Sequence, residues 1–372
     1  MRILYIVGRL GMGGDSTAIL NTLSVLIKQK KIKEKDIFFL THDIGYNQRT
    51  VNELRKKGYK VYILPGDVRK MGPINYFVAV YKLLNQEGPF DVVHTHTSLQ
   101  AGIALLAAKM CHVPKRVCHA HTNSIQRKTL AVLKNIVTPF LKFLINFAAT
   151  DKVACGKMAA EFLYGKYSFQ ILKNGINLNA FREVSQKEIN KIRGELLDNN
   201  NQLLVGHIGR FSEMKNQKFI VFLAERMKGS NIKFILVGDG EEYKKVRQMT
   251  NEEDVSIRFL GRRDDIPQLL MAFDLLLLPS LPGEGFPVTL VEAQAAGCPC
   301  IVSTNVTKES DLGLNLISFA DLDNIQEWIK QIYTNYGKRI SRDVEVQRIE
   351  NLGFDQTDVA NEWFRIYGDV LR

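Results

Sequence analysis

Four side chains carry most of the chemistry that the sequence offers. Arg210 and Lys215 stand in the run Gly209-Arg210-Phe211-Ser212-Glu213-Met214-Lys215-Asn216-Gln217. Glu284 and Glu292 stand in the run from Pro279 to Cys300. Arginine offers a planar fork of donors and lysine a point charge, so the first pair suits neutralisation of a diphosphate without a metal ion. The second pair puts one carboxylate in a loop with Gly283 and Gly285 and the other eight positions on, in a helix. Glycines let backbone approach a ligand, and a helix start supplies free N–H groups for an anion. Together these are the parts of a nucleotide or phosphate site.

Two His-x-His pairs, His94/His96 and His119/His121, form a second group. Residues two apart in an extended segment face the same side. Zinc is one reading of four such histidines and satisfied structural histidines are another. No other ligand type stands at metal spacing beside them, so no metal is expected.

The elements that must position these groups alternate between strand and helix. Ile3 to Val7 reads as a strand and leads through a glycine loop, ending at Gly13 and Gly14, into a helix from Asp15 to Gln29. The loop does not match the dinucleotide fingerprint, so a nicotinamide cofactor is not supported. Strands are expected at 37–40, 61–64, 91–94, 116–118, 151–154 and 170–172, with helices at 51–57 and 74–85. Residues 125–149 mix Arg127, Lys128, Lys134 and Lys142 with aromatic and aliphatic residues. That region reads either as a face for anionic lipid or as a core-facing helix with snorkelling lysines. A charged helix from Ser185 to Leu197 follows. Strands are then expected at 203–208, 234–237 (ended by Gly238-Asp239-Gly240), 257–260 (ended by Gly261-Arg262-Arg263) and 275–278. Asp264-Asp265 reads better as a helix cap than as a divalent-ion site. Val288 to Ala296 is a helix stopped by Gly297 and Pro299. Ile301-Val302 reads as the last clear strand, with helices near 322–335 and 355–371. Repeated βα units mean α/β architecture with mostly parallel, doubly wound sheets. Strand C-terminal ends line the ligand crevice in such sheets.

Bulk properties bound the function. The chain has 372 residues, enough for two domains, and is 45% hydrophobic and 24% charged, an ordinary globular composition. Its basic charge is one-sided: residues 1–172 hold 25 Lys and Arg against 10 Asp and Glu, a net +15, within a total of +11. An acidic partner such as an anionic membrane surface or a lipid pyrophosphate fits that half. No zinc finger, RNA-binding aromatic signature or basic heptad is present, so nucleic acid is not expected. No signal peptide or membrane span is expected, and five cysteines without a CxxC pair fit a reduced cytoplasmic protein, peripheral at most on the inner membrane face.

Glu284-x7-Glu292 followed by Ala293-x-Ala295-Ala296-Gly297 resembles the C-terminal signature of retaining GT-B glycosyltransferases of family 4. The resemblance covers nearly the whole chain. It extends to Gly13-Gly14, the stretch His119-Ala-His121-Thr-Asn123, Asn174-Gly175 and Arg210 with Lys215, in that order. Two departures stand out: Asp15-Ser16 follows Gly14 where the family carries x-Glu, and Asn177 replaces the usual Asp.

The resemblance implies two Rossmann-like domains facing across a cleft: an acceptor-side domain over 1–175 and a nucleotide-sugar domain over 176–354, with the helix near 355–372 packing back on the first. It implies a catalytic group of His121, Arg210, Lys215 and Glu284, with His119 an alternative to His121 against the donor sugar. It implies donor contacts from Gly13, Gly14, His119, Gly209, Asn216, Gly238, Gly240, Leu260, Arg262, Gly285, Phe286, Pro287, Val288 and Glu292, the last on the ribose. The implied reaction is metal-independent transfer from a UDP-sugar to a saccharide acceptor, in particular a lipid-linked one, in capsular or exopolysaccharide synthesis. The nucleotide-sugar is a substrate and no cofactor is expected. A sugar-nucleotide epimerase of the same architecture and a non-catalytic nucleotide- or carbohydrate-binding relative are the alternatives.

Overall fold

The computed structural model describes residues 1–8, 10–11, 14–42, 48–122, 136–199, 201–250 and 256–368. The chain divides into two compact units, Met1–Gly175 with Gln356–Arg372, and Ile176–Asp355. The first carries β1 (Ile3–Val7), β2 (Ile37–Thr41), β3 (Lys60–Ile63), β4 (Val92–His96), β5 (Lys115–Ala120), β6 (Asp151–Ala154) and β7 (Gln170–Ile171). The second carries β8 (Leu203–Ile208), β9 (Ile232–Val237), β10 (Ile257–Gly261), β11 (Leu275–Leu278), β12 (Cys300–Ser303) and β13 (Ile317–Ala320). The orders are β3-β2-β1-β4-β5-β6-β7 and β10-β9-β8-β11-β12-β13, with parallel pairing throughout. Both sheets are therefore doubly wound. The strand order reverses between β1 and β4 in one and between β8 and β11 in the other, where ligands bind such sheets.

Central strands such as β1, β4 and β11 are buried along their whole length, as sheets covered on both faces require. The first core joins Tyr5 and Val7 of β1 with Ile19, Leu23 and Leu26 of the helix Gly14–Lys28. Val359, Trp363 and Tyr367 of the terminal helix Gln356–Gly368 complete it, so the end of the chain belongs to the first unit. The second core gathers around Phe211, Phe234 and Trp328.

Several elements differ from the sequence expectation. The strand order does not stop at Ile301-Val302, because Ile317–Ala320 pairs in parallel with β12. Only Ala320 in that edge strand is buried, so its sequence carries no strong pattern. The helices Ala101–Met110 and Lys157–Tyr164 were not expected. The first is apolar on nearly every side and lacks a 3.6-residue stripe. Asp265 stands at the N-cap of Ile266–Ala272 but makes no capping bond. Its carboxylate is taken instead by Arg263, at 2.8 and 2.6 Å. Ser185 does cap its helix, with a reciprocal bond from Glu188. Four cysteines are buried and Cys111 is partly so, all as free thiols.

Candidate functional site

Three strand ends of the second unit are laced together by main chain. The Gly209 N–H donates to Val237 (3.0 Å), Phe211 N–H to Asp239 (3.0 Å) and Gly238 N–H to Gly261 (2.8 Å). Gly238 has φ 135°, and a Cβ there would lie 2.0 Å from the Gly209 carbonyl oxygen. A Cβ on Gly240, φ 156°, would lie 2.3 Å from the Phe211 oxygen. These two glycines thus let the loops after β8 and β9 touch. Leu260 and Arg262 flank Gly261 at the end of β10, with Leu260 half-buried and Arg262 exposed.

The loop after β8 is also tied to the loop after β11. Asn216, left-handed at φ 55°, sits at the N-cap of Gln217–Arg226 without capping it. Its Nδ2 donates to the Pro279 carbonyl (3.1 Å), and Leu281 N–H donates to Met214 (2.7 Å). Gln217 Nε2 donates to the Arg210 carbonyl (2.8 Å) and to His207 Nε2 (3.1 Å). His207 Nδ1 in turn donates to Leu277 (2.9 Å). Burial lowers the His207 pKa to about 4, which keeps the ring in the neutral form this chain of bonds needs.

Both cations meet carboxylates. Arg210 makes a fork on Glu241 at 2.6–2.9 Å. Lys215 forms a direct ion pair with Glu284, and both are largely buried. Gly285, Phe286 and Pro287 are buried after Glu284, and Phe286 stacks on Phe354 at 5.9 Å. Pro287 is the N-cap of Val288–Ala295, a helix start without a side-chain cap. Glu292 lies in this helix, and burial pushes its carboxyl up to about 7. Gly297, φ 62°, ends the helix, with Cys298 N–H donating to Ala293 (2.9 Å). Arg210, Lys215, Glu284 and Glu292 thus lie at the switch point of one sheet. Glu241, His207 and Gln217 complete the group, and sequence reasoning missed all three.

In the first unit β4 and β5 bring the four histidines together. Thr95 pairs with Cys118 in register, so His96 and His119 are neighbours on one face, with His94 two residues back. Ring centroids lie 4.3 Å apart for His94–His96, 5.4 Å for His94–His119, 5.0 Å for His96–His119 and 4.1 Å for His119–His121. His96 Nδ1 is 2.8 Å from His121 Nε2, and His94 Nδ1 is 2.6 Å from the Tyr367 hydroxyl. Burial pushes all four pKa values down, so the rings are neutral. His119 is fully buried, whereas His121 is part-exposed at the strand end. Gly14 opens the helix after β1; Gly13 and Asn123 lie outside the described residues, as do Arg127, Lys128 and Lys134.

The family model described as "Glycosyl transferases group 1" matches residues 188–312, and that described as "Glycosyltransferase Family 4" matches residues 47–179. EpsF of Bacillus subtilis, named as a glycosyltransferase, is 30% identical over 386 residues, covering 98% of this chain and 96% of that protein. This chain is a family 4 glycosyltransferase. A second relative of the transferase is 29% identical over 66% of this chain and 67% of its own length. It is the UDP-Gal:alpha-D-GlcNAc-diphosphoundecaprenol alpha-1,3-galactosyltransferase of Escherichia coli. The two doubly wound units of the transferase make the GT-B fold. That fold is shared with Anabaena HepE, solved in complex with UDP-glucose: TM-score 0.74, 21% identity, 100% of this chain and 99% of that chain.

Proposed function

We propose that this glycosyltransferase moves a hexosyl group from a UDP-sugar to a lipid-linked saccharide with retention of anomeric configuration. The observation that carries the reading is the joint placement of Arg210, Lys215, Glu284 and Glu292 at the β8/β11 switch point, next to two helix starts without side-chain caps. The C1–O bond to the β-phosphate breaks as the acceptor oxygen bonds C1 on the same face, and the acceptor proton passes to the departing diphosphate. Arg210 and Lys215 neutralise the charge that develops there, so this step draws on no metal ion. Glu292 accepts hydrogen bonds from the ribose, and Glu284 contacts the donor sugar. The Escherichia coli relative, named for a UDP-sugar donor and a diphosphoundecaprenol acceptor, supports this substrate pair. The work is assigned to extracellular polysaccharide synthesis at the cytoplasmic membrane face.

Calorimetric titration with UDP, GDP and ADP, then with UDP-glucose, UDP-galactose and UDP-N-acetylglucosamine, tests the donor side. Selective binding of uridine nucleotides that survives chelator and is lost in Arg210→Ala is the expected result. Binding that Arg210→Ala leaves unchanged would remove the diphosphate assignment. Donor conversion without any acceptor would favour an epimerase.

A further inference from the structure

The donor chemistry leaves His94, His96 and His119 of the first unit without a task. His94, His96 and His119 are 1%, 6% and 0% exposed, so the cluster is sealed from solvent. A ligand nitrogen from each lies within 4.8 Å of the other two. Hydrogen bonds already fix two of the rings. His94 Nδ1 bonds the Tyr367 hydroxyl, itself 3.0 Å from the Tyr5 hydroxyl, and His96 Nδ1 bonds His121. Those bonds occupy Nδ1 and leave Nε2 of His94 and Nε2 of His96 buried with no hydrogen-bond partner. Neither nitrogen of His119 makes a hydrogen bond of normal geometry. Its ring meets the Leu172 main chain more loosely. Buried polar atoms without partners are costly, and several converging in one place call for a shared one.

We propose that His94, His96 and His119 bind one divalent transition-metal ion, with zinc as the probe of choice. Neutral imidazole suits zinc, copper and nickel, and three histidine ligands with one further position are a recurrent zinc set. Bonds of about 2.0–2.1 Å in tetrahedral array put ligand nitrogens about 3.3 Å apart. The nitrogens, within 4.8 Å of each other, need to close by about 1.5 Å at most. Strands β4 and β5 hold all three side chains on one sheet face, so modest side-chain rotation is enough. With ligation through the partnerless Nε2 atoms of His94 and His96, Tyr367 and His121 would bond the other nitrogen of these two ligands, as partners of metal-bound histidines do. Tyr367 belongs to the terminal helix Gln356–Gly368. The ion would therefore tie the ends of β4 and β5 to that helix. His119 would then be a ligand, and His121 would stand behind His96 as its hydrogen-bond partner.

The test strips the full-length protein with chelator, then titrates zinc or cobalt(II) while native mass spectrometry counts bound ions. The expected result is about one equivalent at the cluster, a rise in Tm on zinc addition, and a ligand-field absorption from cobalt(II). His119→Asn, checked by circular dichroism for its fold, loses the ion, while His112→Asn, at a histidine outside the cluster, keeps it. Tyr367→Phe leaves all three ligands in place but removes the bond behind His94, and weakens binding by about 10–100-fold. Zinc uptake equal in wild type and His119→Asn, or a wild-type Tm that zinc does not move, would overturn the site. None of these readouts uses sugar transfer, so they stand apart from the donor assignment.

Discussion

Arg210 and Lys215 meet a carboxylate each, and that pairing shapes how a diphosphate could enter. Two positive and two negative side chains leave no net charge in the group formed with Glu241 and Glu284. A diphosphate that takes the Arg210 fork must displace Glu241, and the repulsion between it and Glu241 opposes binding. Glu241→Gln should therefore tighten UDP-sugar binding, by about 1 kcal/mol or roughly fivefold, since the Arg210–Glu241 pair is partly exposed and screened. Calorimetry on the variant checks this; equal or weaker affinity would mean that Glu241 orders the arginine rather than competing for it. Glu292 yields a pH prediction. Its carboxyl titrates near 7 in the folded protein, well above the usual carboxylate value, because burial penalises the charge. The ionised form is the one that accepts two ribose hydroxyls. UDP-sugar affinity should then approach its full value about one pH unit above 7 and fall roughly fivefold between pH 7 and 6. The diphosphate of a UDP-sugar has no group of its own titrating there. Glu292→Gln should flatten the profile; a slope that persists in the variant would assign the titration elsewhere. Folding runs the opposite way: the native state holds this proton more tightly than the unfolded chain, so Glu292 subtracts stability as pH rises from about 4.5 to 7.

At the scale of loops and strands, glycines set the site's shape. Gly238→Ala would press a methyl against the Gly209 carbonyl at 2.0 Å and force a positive φ on alanine. The loops after β8 and β9 would part, and the Arg210 main chain would shift with them. A loss of about 1–3 kcal/mol in stability is expected, together with weaker UDP binding. Denaturant unfolding and calorimetry read both, and a variant with wild-type values would show that the loops are not coupled. Gly206 is a separate case: its missing side chain leaves room for the Phe273 ring, which a Cβ would meet at 2.0 Å. Much of this layout was legible in the sequence because parallel strands buried on both faces read as short apolar runs; β1, β8 and β11 fall where Ile3, Leu203 and Leu275 begin such runs. The placement of Arg210 and Lys215 in the loop after β8, and of Glu284 and Glu292 in the loop and helix after β11, followed from the same pattern. Glu241 was not legible, because it follows Gly240 in a turn and meets Arg210 across 31 positions. The two His-x-His pairs were legible, each with its rings on one side, but the contact between the pairs was not, because it depends on the β4–β5 register. Tyr367 joins them from 273 positions away.

For the whole molecule the uneven charge and one exposed helix face bear on where it works. The helix Thr138–Ala148 buries Leu144, Ile145 and Ala148, and turns Phe140, Phe143 and Phe147 to solvent, each more than half exposed. Phe143 stacks on Phe147 at 6.0 Å, and Lys109 Nζ stands 3.5 Å over the Phe147 ring. Gly102 lets the neighbouring helix Ala101–Met110 come close, since a Cβ there would lie 2.8 Å from the Leu141 carbonyl oxygen. The aromatic row is thereby held on a firm support. No helix among the described residues is long and apolar enough to cross a membrane. We propose instead that this row enters the interface of an anionic bilayer, with the net +15 of residues 1–172 drawing it there. Each lysine or arginine near such a surface contributes about 1 kcal/mol, and each buried aromatic adds about 1.5–3 kcal/mol. Phe140→Ser with Phe143→Ser should cut partition onto vesicles containing phosphatidylglycerol by at least about tenfold. Raising salt should weaken wild-type binding, while vesicles of phosphatidylcholine alone should bind poorly. Sedimentation with vesicles measures all three. Equal partition of wild type and double variant would take this helix out of the contact. Equal binding to neutral vesicles would mean that the basic half meets the charged acceptor rather than the membrane.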